Sequence, residues 1–255
     1  MRTVRRPQRL RECLQSLAAQ TYRGYELVLV DMSEGSMTSI VEEMRSRLPV
    51  VRHLRLTPAR SRPVALNHGI ESASGRLITI LDDDNLWEPD HLGNIVANFN
   101  GADLAYTGVR IQTLTPDGQL IQERTHYLPF DFGRLLEANF IFTVATAFRR
   151  ALWDEVGRYD ERFSVYEDWE FLIRATHQRD VRALTTYGAI SRAFTGNIRL
   201  REHSANEPDE CARCRSALQW KHRHLRNQRG RDFRHNGGGT IISTSCAHDG
   251  KSIIG

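Results

Sequence analysis

Seven residues, Tyr25, Glu26, Leu27, Val28, Leu29, Val30 and Asp31, stand between Gly24 and the serines Ser33 and Ser36. The run is too short for a stable helix and continuously apolar and β-branched through its centre, so it reads as a strand buried on both faces. Such a strand needs helices above and below it, and the neighbouring sequence supplies them. Residues 7–20 begin with Pro7, which suits a helix first turn, and set Leu10, Cys13, Leu14 and Leu17 on one helical face. Further on, the pattern predicts a helix near 37–47, a short strand near 51–56, a helix over about 63–73, and a strand at Leu77, Ile78, Thr79, Ile80 and Leu81. Strands alternating with helices imply βαβ units with right-handed crossovers, hence an α/β, Rossmann-like, mostly parallel sheet flanked by helices.

Beyond residue 100 the pattern changes. Strand-like stretches near 103–113 and 119–127 are joined by the turn residues Thr115, Pro116, Asp117 and Gly118, which predicts an appended antiparallel hairpin. A helix near 131–138, a segment at 140–148 and a helix starting near Asp168 complete a domain expected to span residues 1–205. A basic helical extension is expected over 206–235, and a flexible Gly/Ser/Thr-rich tail over 236–255. The opening residues Met1, Arg2, Thr3, Val4, Arg5 and Arg6 are short and basic, so the sequence shows no strand before the first helix. A missing first strand, from a mis-set start or a fragment, is the expectation.

Composition narrows the function. With 255 residues, 40% of them hydrophobic, the chain can build a sizeable core. A net charge of +4, gathered mainly at the two ends, does not describe a nucleic-acid binder. No stretch approaches the roughly 18–20 apolar residues of a membrane span, and no secretory signal opens the chain, so a cytoplasmic location is expected. The four cysteines are too few and too scattered for a disulfide framework.

The chemistry sits in two acidic clusters. Asp82, Asp83, Asp84 and Asn85 follow the strand at 77–81 and fall at its carboxyl end, where open α/β sheets bind ligands. A departing diphosphate needs its charge neutralised, and Mg²⁺ or Mn²⁺ held by one or two carboxylates does this. On extended backbone Asp82 and Asp84 share a side. The same acids also suit a turn capping the helix that Pro89 begins. The second cluster, Glu167, Asp168 and Glu170 around Trp169, suits either a general base for an acceptor hydroxyl or the acidic first turn of a helix. Arg60 and Arg62 could reach a diphosphate. Trp87 and Trp169 suit either stacking on a sugar or packing.

Five segments in order resemble the family 2 glycosyltransferases of the GT-A fold. They are Arg6 and Pro7 through Gln20, Thr21 and Tyr22; Leu27 to Asp31; Ala65, Leu66, Asn67, His68, Gly69 and Ile70 with Ser74, Gly75 and Arg76; Leu81 to Trp87 with Pro89 and Leu92; and Gly157 to Glu161 with Glu167, Asp168 and Trp169. The resemblance covers about residues 3–205. It implies an inverting transfer from a nucleotide sugar, of UDP type, to a glycan, lipid-linked or small-molecule hydroxyl. By the same resemblance Asp31 contacts the base, Asp82 the ribose or metal and Asp84 the metal; Asp168 is the base with Glu167 beside it. Arg62, Asn67 and Asp83 complete the donor side, and His203 is a third metal ligand.

Other features carry less. Cys211 and Cys214 with His222 and His224 match no standard zinc spacing. The basic run at 221–234 suits a solvated helix face or peripheral contact with the inner face of an anionic membrane, at about 1 kcal/mol per basic residue. Two other functions stand open on the sequence. A sugar nucleotidyltransferase would carry a Gly-rich phosphate loop, which is not visible. A non-catalytic or decayed binding protein would show no metal-dependent nucleoside diphosphate binding.

Overall fold

The computed structural model describes residues 1–4, 6–35, 37–195 and 208–225. The first part alternates as expected: β1 (Arg2–Thr3), α1 (Pro7–Ala18), β2 (Leu27–Asp31), α2 (Thr38–Arg45), β3 (Val51–Arg55), α3 (Arg62–Ser72) and β4 (Leu77–Thr79). β1, β2 and β3 pair in parallel in that order. Pro7 opens α1, and its buried Leu10, Cys13, Leu14 and Leu17 seal one face of β2, every residue of which is buried.

The expectation of a wholly missing first strand needs correction. Arg2 and Thr3 pair with Val30 and Asp31, and Arg2 bridges in parallel to Asp82, so β1 sits between β2 and the chain that follows β4. Hydropathy does not register this strand, because backbone groups common to every residue make the ladder. The arginine charge is met by aspartate rather than hidden among apolar neighbours.

The later elements are β5 (Leu86–Trp87), α4 (His91–Asn98), β6 (Leu104–Leu114), β7 (Leu120–His126), α5 (Phe132–Glu137), a 3₁₀ turn at Thr143–Ala145, β8 (Thr146–Arg149), α6 (Arg150–Val156), α7 (Glu167–Thr176), β9 (Val181–Phe194) and α8 (Pro208–Lys221). The second sheet runs β4-β8-β6-β9-β5, with β7 also on β6. The expected hairpin is present: Gly118, at φ +91°, closes its turn by donating to the Thr115 carbonyl at 3.0 Å. Yet β6 is also the hub of the sheet. Its Leu104 to Tyr106 end pairs antiparallel with β8 while its length pairs in parallel with β9.

β9 has no counterpart in the sequence reading. Its residues are mostly half-buried and mix Thr185, Thr186 and Tyr187 with small residues, so no clean alternation marks it. Cross-strand bonds to β6 and β5 hold it.

The two larger apolar clusters among the described residues lie one around Leu104, Leu135, Phe148 and Ile173, the other around Leu10, Leu14, Leu29 and Val41. The basic extension begins as α8, whose Leu218 and Cys214 join the first cluster. Lys221 Nζ reaches Asp160 at 2.8 Å and Glu170 at 2.7 Å. No helix among the described residues is long and apolar enough to cross a membrane. The tail at 236–255 lies outside the described residues.

Candidate active site

From β4 the chain passes through buried Ile80 and Leu81 into the three aspartates at the sheet edge. Their side chains alternate. Asp82 meets Arg2 Nε at 3.3 Å and Arg62 Nη2 at 3.0 Å. Asp83 turns inward: its Oδ2 accepts from Thr3 Oγ1 at 2.7 Å and from the Val4 amide at 3.3 Å. Asp84 is paired with Arg6, whose other nitrogen lies 3.3 Å from Asp83. Three arginines thus face three carboxylates.

Burial sets these charges against each other. Burial alone would raise Asp82, but the charges of Arg62 and Arg2 outweigh it and hold the carboxyl well below the usual range. For Asp83 burial prevails over Arg6 and Thr3 and pushes the group up to about 6. Adjacent acids therefore differ in character: Asp82 is a firm anion and Asp83 a buried acceptor inside the fold.

The second cluster reaches the first through Arg62. Its Nη1 is paired with Glu167, 105 residues away in sequence, while Nη2 holds Asp82. Burial works against the Arg62 charge, but Asp82 and then Asp168 raise its pKa further, so Asp168 lies in the same electrostatic field. Tyr166, at φ +64°, turns the chain into α7, and Asp168 then holds two bonds: Oδ2 accepts from Thr143 Oγ1 at 3.0 Å and Oδ1 from the Trp169 amide at 2.8 Å. The acids occupy a helix first turn, and Glu167 meets the aspartate triad through Arg62.

The remaining expected residues divide. Asp31 is fully buried at the end of β2 and accepts from the amides of Ser33 at 2.9 Å and Met37 at 3.0 Å, with His53 Nε2 at 3.2 Å. Burial opposes ionisation there, yet these donors keep the carboxyl below its ordinary value. Asn67 is placed elsewhere: its amide donates to the Tyr159 carbonyl at 2.9 Å and to Glu161 at 3.0 Å, and its oxygen accepts from the Tyr159 amide at 2.9 Å. It ties α3 to the 159–161 loop. Trp87 and Trp169 pack inside the protein, their indole N–H groups bonded to the carbonyls of Val144 and Leu135. Arg60 is exposed, and His203 lies outside the described residues.

Among the described residues no three His, Cys, Asp or Glu side chains converge as ligands. The donor set nevertheless fits a hard divalent cation that takes its remaining ligands from phosphate and water. Asp82 and Asp84 are two carboxylates at one edge, and buried Asp82 Oδ1, ion-paired with Arg2 Nε at 3.3 Å, accepts no hydrogen bond among the described residues.

The family description Glycosyltransferase like family 2 matches residues 3–197. The chain belongs to this family. Similar proteins include the uncharacterized glycosyltransferase YwdF of Bacillus subtilis, 25% identical across 71% of this chain and 68% of that protein. A PGL/p-HBAD biosynthesis glycosyltransferase of Mycobacterium bovis is 32% identical, across 64% of this chain and 62% of its own length. The match to this mycobacterial relative thus leaves more than a third of it uncovered. Among solved structures, Staphylococcus aureus TarS superposes with a TM-score of 0.61 at 19% identity, over 75% of this chain and 36% of that one. A mannosyltransferase of Pyrobaculum calidifontis, in complex with GDP-Man and Mn²⁺, does so with a TM-score of 0.55 at 21% identity, over 75% of this chain and 55% of that one. These likenesses show the glycosyltransferase GT-A fold.

Several residues at this edge escape sequence reasoning. Arg2, Thr3 and Arg6 look like a basic overhang until β1 brings them to the triad. Thr143 is an unremarkable residue of a short turn. Arg192, from β9, donates from Nε to the Asp84 carbonyl at 2.6 Å and pairs with Glu12, holding the acidic loop from behind.

Proposed function

We propose that the chain transfers a sugar from a nucleoside-diphosphate sugar, of UDP type, to a hydroxyl acceptor with inversion at the anomeric carbon. The observation that carries this reading is the Arg62 bridge from Asp82 to Glu167, which sets the acidic triad and Asp168 at one edge. In a single displacement the acceptor oxygen bonds to the anomeric carbon, the bond from that carbon to the diphosphate oxygen breaks, and Asp168 takes the hydroxyl proton. Thr143 and the α7 amide hold Asp168 in orientation. Mg²⁺ or Mn²⁺ at Asp82 and Asp84 would neutralise charge on the departing diphosphate. Support for the donor class comes from similar folds: a structure of TarS holds UDP-GlcNAc, and the mannosyltransferase structure holds GDP-Man with Mn²⁺.

The test is transfer or donor hydrolysis with and without Mn²⁺. Asp84→Ala abolishes metal-dependent turnover, and Asp168→Asn lowers kcat by about 10²–10⁴ with the fold intact. Unchanged turnover in Asp84→Ala removes the metal assignment. We place the reaction in the cytoplasm, with exposed Trp220 and Arg223 meeting the inner face of an anionic membrane if the acceptor is lipid-linked. Failure of the protein to sediment with anionic vesicles removes that placement.

A further inference from the structure

A void of about 10 Å³ lies beside Asp168, bounded by apolar Ile80 and Phe148 and by four polar residues, Thr143, Thr146, Tyr159 and Asp168. That is the room of one water molecule, and a water settles in such a space only where two to four polar partners meet it. Two of the three hydroxyls already donate elsewhere: Thr143 to the Asp168 carboxylate at 3.0 Å and Thr146 to the Phe142 carbonyl at 2.9 Å. Asp168 accepts one bond on each oxygen, from Thr143 and from the Trp169 amide, so each oxygen has a lone pair left.

Tyr159 is fixed from both sides. Its amide donates to the Asn67 oxygen and its carbonyl accepts from the Asn67 amide group, both at 2.9 Å, which ties it to α3, the helix that begins at Arg62. Its ring stacks on Phe171 of α7, the helix that carries Asp168, with centroids 4.4 Å apart and planes 22° from parallel. A phenylalanine would serve both contacts equally well. The hydroxyl is what they leave unexplained: Tyr159 is buried, yet its Oη has no hydrogen-bond partner among the described residues, and a buried tyrosine hydroxyl normally finds one. Burial pushes the phenol above its ordinary pKa, with Arg62 acting against the rise and Asp168 adding to it. The group is therefore a neutral donor in the field of the carboxylate.

We propose that Tyr159 is a positioning residue for Asp168: its hydroxyl donates to one water held in the void, and that water donates in turn to the Asp168 carboxylate. The inference rests on Asp168 being the base that takes the acceptor proton. Together with Thr143 and the Trp169 amide, the water gives the carboxylate a third donor, which fixes its orientation and leaves one lone pair for the incoming hydroxyl. Because Tyr159 is bonded to α3 and stacked on α7, the same residue keeps Asp168 in register with Arg62.

Tyr159→Phe removes only the hydroxyl and keeps the ring on Phe171. The experiment compares wild type and variant by crystal structures that show ordered water, by melting curves, and by hydrolysis of UDP-GlcNAc with Mn²⁺. The wild type holds a water within hydrogen-bond reach of Tyr159 Oη and of an Asp168 oxygen, and the variant melts lower by about 2–4 °C. Its kcat falls about tenfold while KM for UDP-GlcNAc stays within about twofold, the split expected of a misoriented base beside an intact donor site. A dry void in the wild type overturns the proposal, as does a variant whose Tm and kcat match or exceed those of the wild type. Asp168→Asn tells the two possible failures apart. Lost turnover there beside full turnover in Tyr159→Phe strikes the water bridge alone, whereas full turnover in both removes the base and the bridge with it.

Discussion

Thr3 donates to Asp83 in a buried hydrogen bond of 2.7 Å that spans 80 residues of sequence and fastens the first strand to the middle of the acidic triad. It explains why three adjacent acids can share one sheet edge. The middle one is turned into the fold, where its Oδ2 accepts from Thr3 and its Oδ1 lies 3.3 Å from Arg6, while its neighbours pair with Arg2, Arg62 and Arg6.

Thr3→Val keeps the shape and removes the donor. Leaving a buried carboxylate short of a partner costs about 1–3 kcal/mol, and each kcal/mol lowers Tm by about 2–4 °C at this size. Thr3→Ser restores most of the loss. A Thr3→Val protein that melts with the wild type shows that the bond carries no stability.

Arg62→Lys keeps a positive charge but loses the planar fork that reaches two carboxylates. Asp82 and Glu167 then lose their common tie, and kcat/KM falls about a hundredfold, the order expected for small misplacement of reacting groups. Circular dichroism and activity measured together check this. A lysine variant with full activity removes Arg62 from the positioning of the site.

Glu170 is fully buried and bonded to Arg174 at 2.7 Å, to Lys221 at 2.7 Å and to His222 at 3.3 Å. Burial acts to raise its pKa, but His222, Arg174 and Lys221 outweigh it and hold the group down at about 2. The unfolded value is about 4.3. Because the folded value is the lower one, this contribution is fully present above about pH 4.3 and is lost as the pH falls through 2, by up to roughly 3 kcal/mol. Glu170→Gln flattens that part of the stability curve in urea titrations between pH 2 and 5. An unaltered slope contradicts the assignment.

Gly188 lies against His91, a buried residue whose two ring nitrogens have no hydrogen-bond partner among the described residues. A Cβ at position 188 would sit 2.7 Å from His91 Nδ1 and 3.1 Å from its Cα. Gly188→Ala therefore destabilises by about 1–3 kcal/mol through backbone displacement, seen as a lower midpoint in chemical denaturation. Equal midpoints refute the contact.

Local pattern reached some elements and not others. β2, α1 and α3 were legible because burial is continuous along the strand and confined to one face of each helix: Leu29 and Leu14 are fully enclosed, and apolar spacing reports that directly. β9 was not legible, because its half-buried residues are held by bonds to β6 rather than by an apolar face. β1 escaped for a related reason, since Arg2 and Thr3 ladder through backbone groups and answer acids far along the chain.

The sequence by itself determined the α/β alternation, the buried second strand and the placing of three aspartates at a strand end, since each is written within one segment as periodicity or charge. The tertiary structure decided which acid faces which arginine, that Asp83 points inward to Thr3, and that Arg62 joins Asp82 to Glu167. Such pairings depend on the close approach of distant chain segments in a low-dielectric setting, and hydropathy spacing carries no record of that distance.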